Sequence, residues 1–283
     1  MLNFFGNIYY KFRNIVLLLL LFSMTFVPIA QSQTIFGADD ASNSLISIDQ
    51  FTGAGTFVGN LDFTRIEALA CDTNSNTLFG ADIITEELIR ISASSGNGTA
   101  VGVIGTVVFG MAYDPNTDTL FGVDTVVDQL IKINTETGEF TPVGLIGFRN
   151  ILSLAFDSNT NTLYGVNPDL DENLLVTIDT DTGEGTLVGD IVGFEIITGL
   201  TFDEDTNTLF ASDELTGELL TVDTDTAEGS VVGDIGFETV SALARCRARF
   251  FNIPTLSEWG LIAMVGILGI AGFMVLRRRK VIA

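Results

Sequence analysis

One hexapeptide recurs five times along this chain, and its even spacing constrains the fold more than any other feature. The five copies begin at Thr34, Thr77, Thr119, Thr162 and Thr208, at intervals of 43, 42, 43 and 46 residues. They read TIFGAD, TLFGAD, TLFGVD, TLYGVN and TLFASD. Near-identical segments at such a period indicate one supersecondary unit that is repeated along the chain.

Each unit has the pattern of four short strands. In the last unit, apolar segments occupy residues 199–203, 208–213, 218–223 and 230–236, and turns rich in Asp, Thr and Gly separate them. The segments are β-branched or aromatic, and none shows a sustained helical period. Four strands in about 43 residues match one propeller blade. A β-solenoid, the alternative, would need a shorter repeat per coil.

The ends of the repeat region predict a closed ring. The first unit begins at its second strand, whereas the last unit is followed by the segment 241–244, which matches the first strands at 67–70 and 153–155. The C-terminal strand can therefore complete the blade that the N-terminal strand opens, which removes the last free sheet edges. The sequence thus predicts an all-β fold: a five-bladed β-propeller of four-stranded blades over residues 34–246. The strand order resembles that of NHL-like and lactonase-like propellers, a resemblance of fold alone.

Composition excludes several kinds of chemistry. The chain has no His, which rules out Ser-His-Asp and Cys-His catalysis and His-ligated metals. It carries 36 acidic and 13 basic residues, a net charge of −23, and 35 of the acids lie between residues 34 and 244. A nucleic-acid-binding surface built on a basic patch is therefore not expected. With 47% hydrophobic and 17% charged residues, the chain is also too apolar for a disordered acidic tail.

Residues 1–32 have the pattern of an export signal. Lys11 and Arg13 precede the apolar run 15–30, and Ala30-Gln31-Ser32 offers the small-x-small pattern that signal peptidase reads. We expect cleavage after Ser32, with cleavage after Ala30 as the second choice. An uncleaved N-terminal anchor is the alternative interpretation.

The C-terminal region predicts one transmembrane helix over residues 260–276. These 17 residues carry no charge and would span about 25 Å, at the short end of what crosses a bilayer. Trp259 precedes the span as an interfacial aromatic residue. The basic residues that follow, which would stop transfer and hold Ala283 in the cytoplasm, are Arg277, Arg278, Arg279 and Lys280.

A short motif stands just before this span, after the linker 247–252. Its residues are Ile253, Pro254, Thr255 and Leu256, followed by Trp259 and Gly260. Together with the span and the basic cluster, the motif resembles the IPTL-CTERM sorting signal of Gram-negative bacteria, which is related to the PEP-CTERM type. The resemblance covers residues 253–280 within the C-terminal region 253–283. It implies processing by an exosortase, a membrane-embedded cysteine transpeptidase, and transfer from the inner membrane to the cell surface or the extracellular matrix.

Acidic turns follow four of the first strands. The triads are Asp72/Asn74/Asn76, Asp114/Asn116/Asp118, Asp157/Asn159/Asn161 and Asp203/Asp205/Asn207. A spacing of two residues resembles the start of a calcium loop, but no Gly stands at the sixth position, and only Glu214 stands at a twelfth position. We interpret these segments as Asx-turns and predict no metal site or cofactor. Weak Ca²⁺ binding to the acidic surface is the alternative.

Two further features could mark a site. Phe63, Phe148, Phe194 and Phe237 recur where one unit passes to the next, with Arg65, Arg149, Glu195 and Glu238 beside them. We expect these phenylalanines to pack between blades, and a ligand cage is the alternative. The clear irregularity of the repeat is the longer loop 167–173, a candidate for an asymmetric contact or a tolerated insertion.

Cys71 and Cys246 are the two cysteines, and export would bring both into an oxidising compartment. Both stand at the ends of first strands in neighbouring blades, but Cys246 lies one residue beyond the position equivalent to Cys71. In regular strands this offset turns the side chains to opposite faces, which argues against a bond. A disulfide and two separately buried thiols both remain open.

Two functions follow from these observations. The first is an exported, noncatalytic propeller that binds an envelope, matrix, glycan or protein partner at the surface. The alternative is an extracellular, glycosidase-like hydrolase. The near-identity of the five units favours the first, because a catalytic site requires different groups from different blades. The sequence accordingly singles out no catalytic residue.

Overall fold

The computed structural model describes residues 33–169 and 172–247, which form twenty strands in five antiparallel sheets. The strands are β1 (Gln33–Asp39), β2 (Ser44–Ile48), β3 (Gly55–Asn60), β4 (Ile66–Asp72), β5 (Thr77–Asp82), β6 (Glu87–Ile91), β7 (Gly98–Val103), β8 (Val108–Asp114), β9 (Thr119–Asp124), β10 (Gln129–Ile133), β11 (Phe140–Leu145), β12 (Ser153–Asp157), β13 (Thr162–Asp169), β14 (Glu172–Ile178), β15 (Gly185–Asp190), β16 (Ile197–Asp203), β17 (Thr208–Asp213), β18 (Glu218–Val222), β19 (Gly229–Asp234) and β20 (Val240–Arg247).

The five sheets are the blades of a β-propeller, so the predicted fold is confirmed. Blade 1 has the order β20-β1-β2-β3, and blades 2 to 5 each take four consecutive strands from β4 onward. The C-terminal strand therefore closes the ring as expected. The predicted export signal, the sorting motif and the transmembrane helix lie outside the described residues, and within the described part no helix is long and apolar enough to span a membrane.

The first strands of the blades contact one another around the ring, from β20 through β4, β8, β12 and β16 back to β20. Because the strands of a blade alternate in direction, the ring has two different ends. We call one the terminal face: it carries the turns between first and second strands and between third and fourth strands, and there β1 begins and β20 ends. The other, the crossover face, carries the turns between second and third strands and the crossovers between blades.

Adjacent blades pack face to face, so that side chains alternate between two interfaces along each first strand. On β20, Ala244 contacts the core shared with blade 2, which includes Leu69 of β4. The neighbouring Leu243 contacts the core shared with blade 5, which includes Leu219. This alternation of period two gives the ring its five hydrophobic cores.

The recurring crossover phenylalanines pack into these cores, as expected. The ring of Phe63 lies over Gly98, where an added Cβ would approach a ring carbon to 2.6 Å, so the first residue of that outer strand must be Gly. Phe148, Phe194 and Phe237 meet the glycines at the same position of the outer strands in blades 4, 5 and 1. Blade 3 lacks a crossover phenylalanine, and there Phe140 replaces the glycine and packs into the core from the strand itself.

Candidate functional site

The acidic turns on the terminal face use their side chains to hold the turn. Asp72 ends the first strand of blade 2, and its Oδ1 accepts the backbone N–H groups of Asn74 and Ser75 at 2.8 and 3.0 Å. The last residue of the motif, Asn76, has a φ of 58°, the left-handed conformation that Asn tolerates best after Gly. The same arrangement recurs in blades 3 to 5, so these segments are Asx-turns.

The middle Asn of the motifs in blades 2 to 4 joins neighbouring blades. The Nδ2 groups of Asn74, Asn116 and Asn159 each donate to a backbone carbonyl in the turn of the next blade, at 3.0 Å in all three cases. The spacing of two residues therefore places one side chain on the turn and the next across the blade boundary. Within the described residues, no group of three or more acidic or Cys side chains could hold a metal ion.

Blade 5 has no such turn to reach in blade 1, because β20 ends and β1 begins there without a turn between them, and a salt-bridge network takes its place. The middle residue is Asp205, and the guanidinium of Arg245 lies 2.7 Å from Asp203, 3.4 Å from Glu204 and 3.2 Å from Asp205. The side chains of Arg245 and Asp203 are only 4% and 0% exposed. Burial raises the pKa of Glu204 despite the nearby guanidinium. The sequence analysis did not single out Arg245, although it is the one charged residue at this position of the five first strands.

These equivalents form the rim of the central channel on the terminal face. They are Cys71, Tyr113, Phe156, Phe202 and Arg245, one from each first strand. The cavity they surround has a volume of about 40 Å³. At about 10–15 Å³ for each water molecule on this measure, it has room for about three waters. Burial, followed by hydrogen bonding to Asp118, raises the pKa of Tyr113 well above its ordinary value, so its hydroxyl stays protonated.

Cys71 and Cys246 form a disulfide on this rim, with their Cα atoms 5.5 Å apart. The sequence argument held that the one-residue offset turns the two side chains away from each other. It was wrong, because it treated β4 and β20 as if they were strands of one sheet. In the ring, β4 and β20 belong to two sheets stacked face to face, and side chains meet only if they point in opposite senses. The offset therefore favours the bond.

A second charged cluster lies on the crossover face. The Nε of Arg65 lies 2.7 Å from Glu67 and 3.9 Å from Asp40, and Glu214 of blade 5 interacts with both Arg65 and Asp40. Burial is the main cause that raises the pKa of Glu67 and of Glu214. The cluster breaks the symmetry of the ring, because blades 1 and 5 carry Ser241 and Thr198 at the position of Glu67.

The irregular segment 167–173 extends the hairpin of blade 4, and residues 170–171 within it lie outside the described part. Its two asparagines bind neighbouring crossovers: Asn167 donates to the carbonyl of Arg149, and Asn173 donates to that of Phe194 at 2.9 Å. Asn173 also accepts the N–H of Ile197 at 2.9 Å. In other blades the last Asp of the hexapeptide binds the crossover instead. Asp213, for example, accepts the N–H of Glu195. The described part of this segment thus supports the fold.

The charged residues beside the crossover phenylalanines do not converge on one site. Arg65 belongs to the cluster with Glu67. The backbone carbonyl of Arg149 accepts a hydrogen bond from Asn167 in blade 4, and the backbone N–H of Glu195 donates one to Asp213 in blade 5. The sequence signal that could have revealed the cluster is Glu67 itself, an acid within an otherwise apolar first strand.

Comparison with known proteins identifies the C-terminal motif and the fold. The IPTL-CTERM motif matches residues 253–279. A search of curated proteins gives no match. A solved structure of a nidogen/laminin complex is similar at 14% identity and a TM-score of 0.57, over 76% of this chain and 98% of that one.

Two further solved structures match with lower TM-scores. A protein of unknown function from Bacteroides thetaiotaomicron matches at 16% identity and a TM-score of 0.50, over 71% of this chain and 64% of that one. A virginiamycin B lyase from Staphylococcus aureus matches at 14% identity and a TM-score of 0.42, over 67% and 62% of the two chains. At 14% and 16% identity, the similarity to the nidogen/laminin complex and to the Bacteroides thetaiotaomicron protein concerns the propeller fold alone.

Proposed function

We propose that this chain is an exported, surface-sorted propeller that binds a partner there without catalysing a reaction. The sorting motif and the propeller fold together point to an exported surface protein. An exosortase would recognise residues 253–279 at the inner membrane, and signal peptidase would remove the N-terminal signal. The ring between them would be the part that acts at the surface.

The observation that carries the noncatalytic proposal is how the polar groups of the terminal face are used. The aspartates of the acidic turns bind their own backbones, the asparagines join blades, and Arg245 is held by three carboxylates. The cavity beside them has room for only about three water molecules. Groups committed to holding the ring are not available to bind and orient a substrate.

A hydrolase is the second candidate, and one observation favours it. Glu67 and Glu214 belong to one cluster, come from different blades and both have a raised pKa, which is a property of acid catalysts. Arg65, however, bonds directly to Glu67 and would have to move before a substrate could reach that carboxyl.

The sorting proposal is tested by replacing Pro254, Thr255 and Leu256 with alanine in a strain that has the matching exosortase. We expect the variant to remain in the inner membrane, and unchanged surface release would overturn the proposal. A reporter that functions only in the periplasm, fused after Ala283, should be silent. An active reporter would show that the span is wrongly oriented.

The noncatalytic proposal is tested by a glycan array and a set of chromogenic glycosides, with and without calcium. Binding without turnover is the expected result for a glycan partner, and no turnover is expected for a protein partner. Turnover that disappears in Glu67→Gln, and persists in Glu136→Gln on an exposed turn, would establish the hydrolase instead.

A further inference from the structure

Exposed apolar side chains are concentrated on the crossover face. Among the described residues, eleven large apolar side chains are exposed, and seven of them lie on this face: Ile84, Val103, Val126, Val127, Leu145, Val192 and Leu215. The terminal face has one, Phe51, and the other three lie on the outer strands. The two faces of the ring are therefore chemically different.

Five of the seven lie on the adjacent blades 2 and 3, and we call them the apolar patch: Ile84, Val103, Val126, Val127 and Leu145. The hairpin tips supply Ile84 and the two neighbouring valines, and the ends of the outer strands supply Val103 and Leu145. Each is between 49% and 68% exposed. The concentration of exposed apolar side chains on adjacent blades of one face marks a candidate interaction site.

The surroundings of the apolar patch are acidic. Glu86, Glu87 and Asp128 lie in the same two hairpins, whereas the cations beside these hairpins are Arg65, which is paired with Glu67 and Asp40, and Arg149 in the crossover after blade 3. The ring from residue 33 to residue 247 has six basic and 35 acidic residues, a net charge of −29. A partner that brings positive charge as well as apolar side chains is therefore favoured. Another copy of the chain or an anionic lipid surface would be repelled.

The chain enters and leaves the ring on the terminal face. Strand β1 begins and strand β20 ends on the terminal face, so both routes toward the membrane-directed segments leave from there. The crossover face lies at the opposite ends of the same strands. A propeller held by its C-terminal segment would therefore present the apolar patch to its surroundings.

We propose that the apolar patch docks a basic polypeptide segment of a partner protein, one that carries apolar side chains on one face. The acidic rim attracts and orients the segment, and burial of the apolar side chains supplies the affinity that charge alone does not give. This inference rests on the proposed function, since it names the partner class for the noncatalytic binding protein.

The test uses the full chain in nanodiscs of zwitterionic phosphatidylcholine, at an ionic strength of about 0.15 M to reduce general attraction between charges. The probes are two labelled peptides of equal positive charge, one of Lys and Leu in an amphipathic pattern and one of Lys and Ser. The amphipathic peptide should bind about tenfold more tightly, measured by fluorescence anisotropy. The variant Ile84→Thr, Val126→Thr, Val127→Thr should lose this preference while it still binds both peptides weakly.

The matched control replaces Phe57, Leu187 and Val231, three similarly exposed apolar side chains on the outer strands, with threonine. The control variant should keep the preference, and the melting temperatures of both variants show that they fold. Equal loss in the two variants, or no preference in the wild type, would overturn the inference. Patch-dependent dimerisation by light scattering would assign the surface to a second copy, and patch-dependent binding to anionic vesicles would assign it to a membrane.

These outcomes separate the inference from the proposed function. Absence of a peptide preference removes the docking surface and leaves the noncatalytic proposal intact. Turnover of a glycoside by the wild type removes the noncatalytic proposal and leaves the peptide result standing.

Discussion

Cys246 lies one residue beyond the position equivalent to Cys71, and this offset directs the two sulfur atoms toward each other. On β4, Leu69 and Cys71 face blade 1, whereas on β20 Ala244 and Cys246 face blade 2. Neighbouring blades stack so that opposite faces of their sheets meet. A cysteine on β20 at the position equivalent to Cys71 would therefore point away from Cys71. The bond links strands that are 175 residues apart and fixes the strand that closes the ring.

The first prediction concerns this bond. The double variant Cys71→Ser, Cys246→Ser should lose up to about 5 kcal/mol of unfolding free energy, because the loop that the disulfide closes is so long. Denaturant unfolding of exported protein measures the loss, and reductant should lower the stability of the wild type by a similar amount. Each single variant should resemble the double variant. Mass spectrometry that finds two freely alkylated thiols in exported protein would contradict the bond.

The second prediction concerns the salt-bridge network between blades 5 and 1. Arg245→Met removes the cation that faces Asp203 in a buried site and should cost about 3–5 kcal/mol in unfolding free energy. The control is Lys132→Met, since the exposed ammonium of Lys132 lies 5.6 Å from the ring centre of Phe121 and should contribute about 0.5–1 kcal/mol. Equal losses in the two variants would show that Arg245 does not hold the ring.

The third prediction is a pH dependence. Burial, followed by the charge of Asp40, raises the pKa of Glu214 above its ordinary value of 4.5, so the native state binds this proton more tightly than the unfolded state does. Stability should therefore fall as pH rises through that raised pKa. Glu214→Gln should be more stable than the wild type at pH 7, and the difference should vanish below about pH 4. Thermal melts across this range, with Glu136→Gln as the exposed control, measure the effect. A gain that does not depend on pH would refute this origin.

The fourth prediction concerns the backbone at Glu86. Its φ is 56°, a left-handed conformation that other blades give to Asn43 and Gly217 in the same turn. Glu tolerates this region less well than Asn does, so Glu86→Asn should raise the unfolding free energy by about 0.5–1 kcal/mol. Glu87→Asn, one residue later in strand β6, should give no gain, because Asn is disfavoured in strands. A gain in both variants would indicate a general charge effect.

Much of this protein follows from the sequence by itself. The regular period fixes the number of blades, the short β-branched segments fix the strands, and the phase of the first and last units fixes how the ring closes. The crossover phenylalanines are also a recurring pattern of the repeat, although the glycines that they meet lie on distant strands. Each of these features is carried by a segment that recurs with the period of the unit, or by the phase of the repeat at its two ends, which is why periodicity and turn chemistry are sufficient to predict them.

Only the tertiary structure decides what lies across the blade boundaries. The bond from Asn159 to the carbonyl of Glu204, the network of Arg245 and the disulfide of Cys71 all join strands or turns of different sheets. Which side chains meet there depends on which faces of two twisted sheets stack together, and the period of one strand does not contain that information. The tertiary structure also decides the chemical difference between the two faces of the ring, because the exposed apolar side chains of the crossover face come from separate turns that only the folded ring brings to one end.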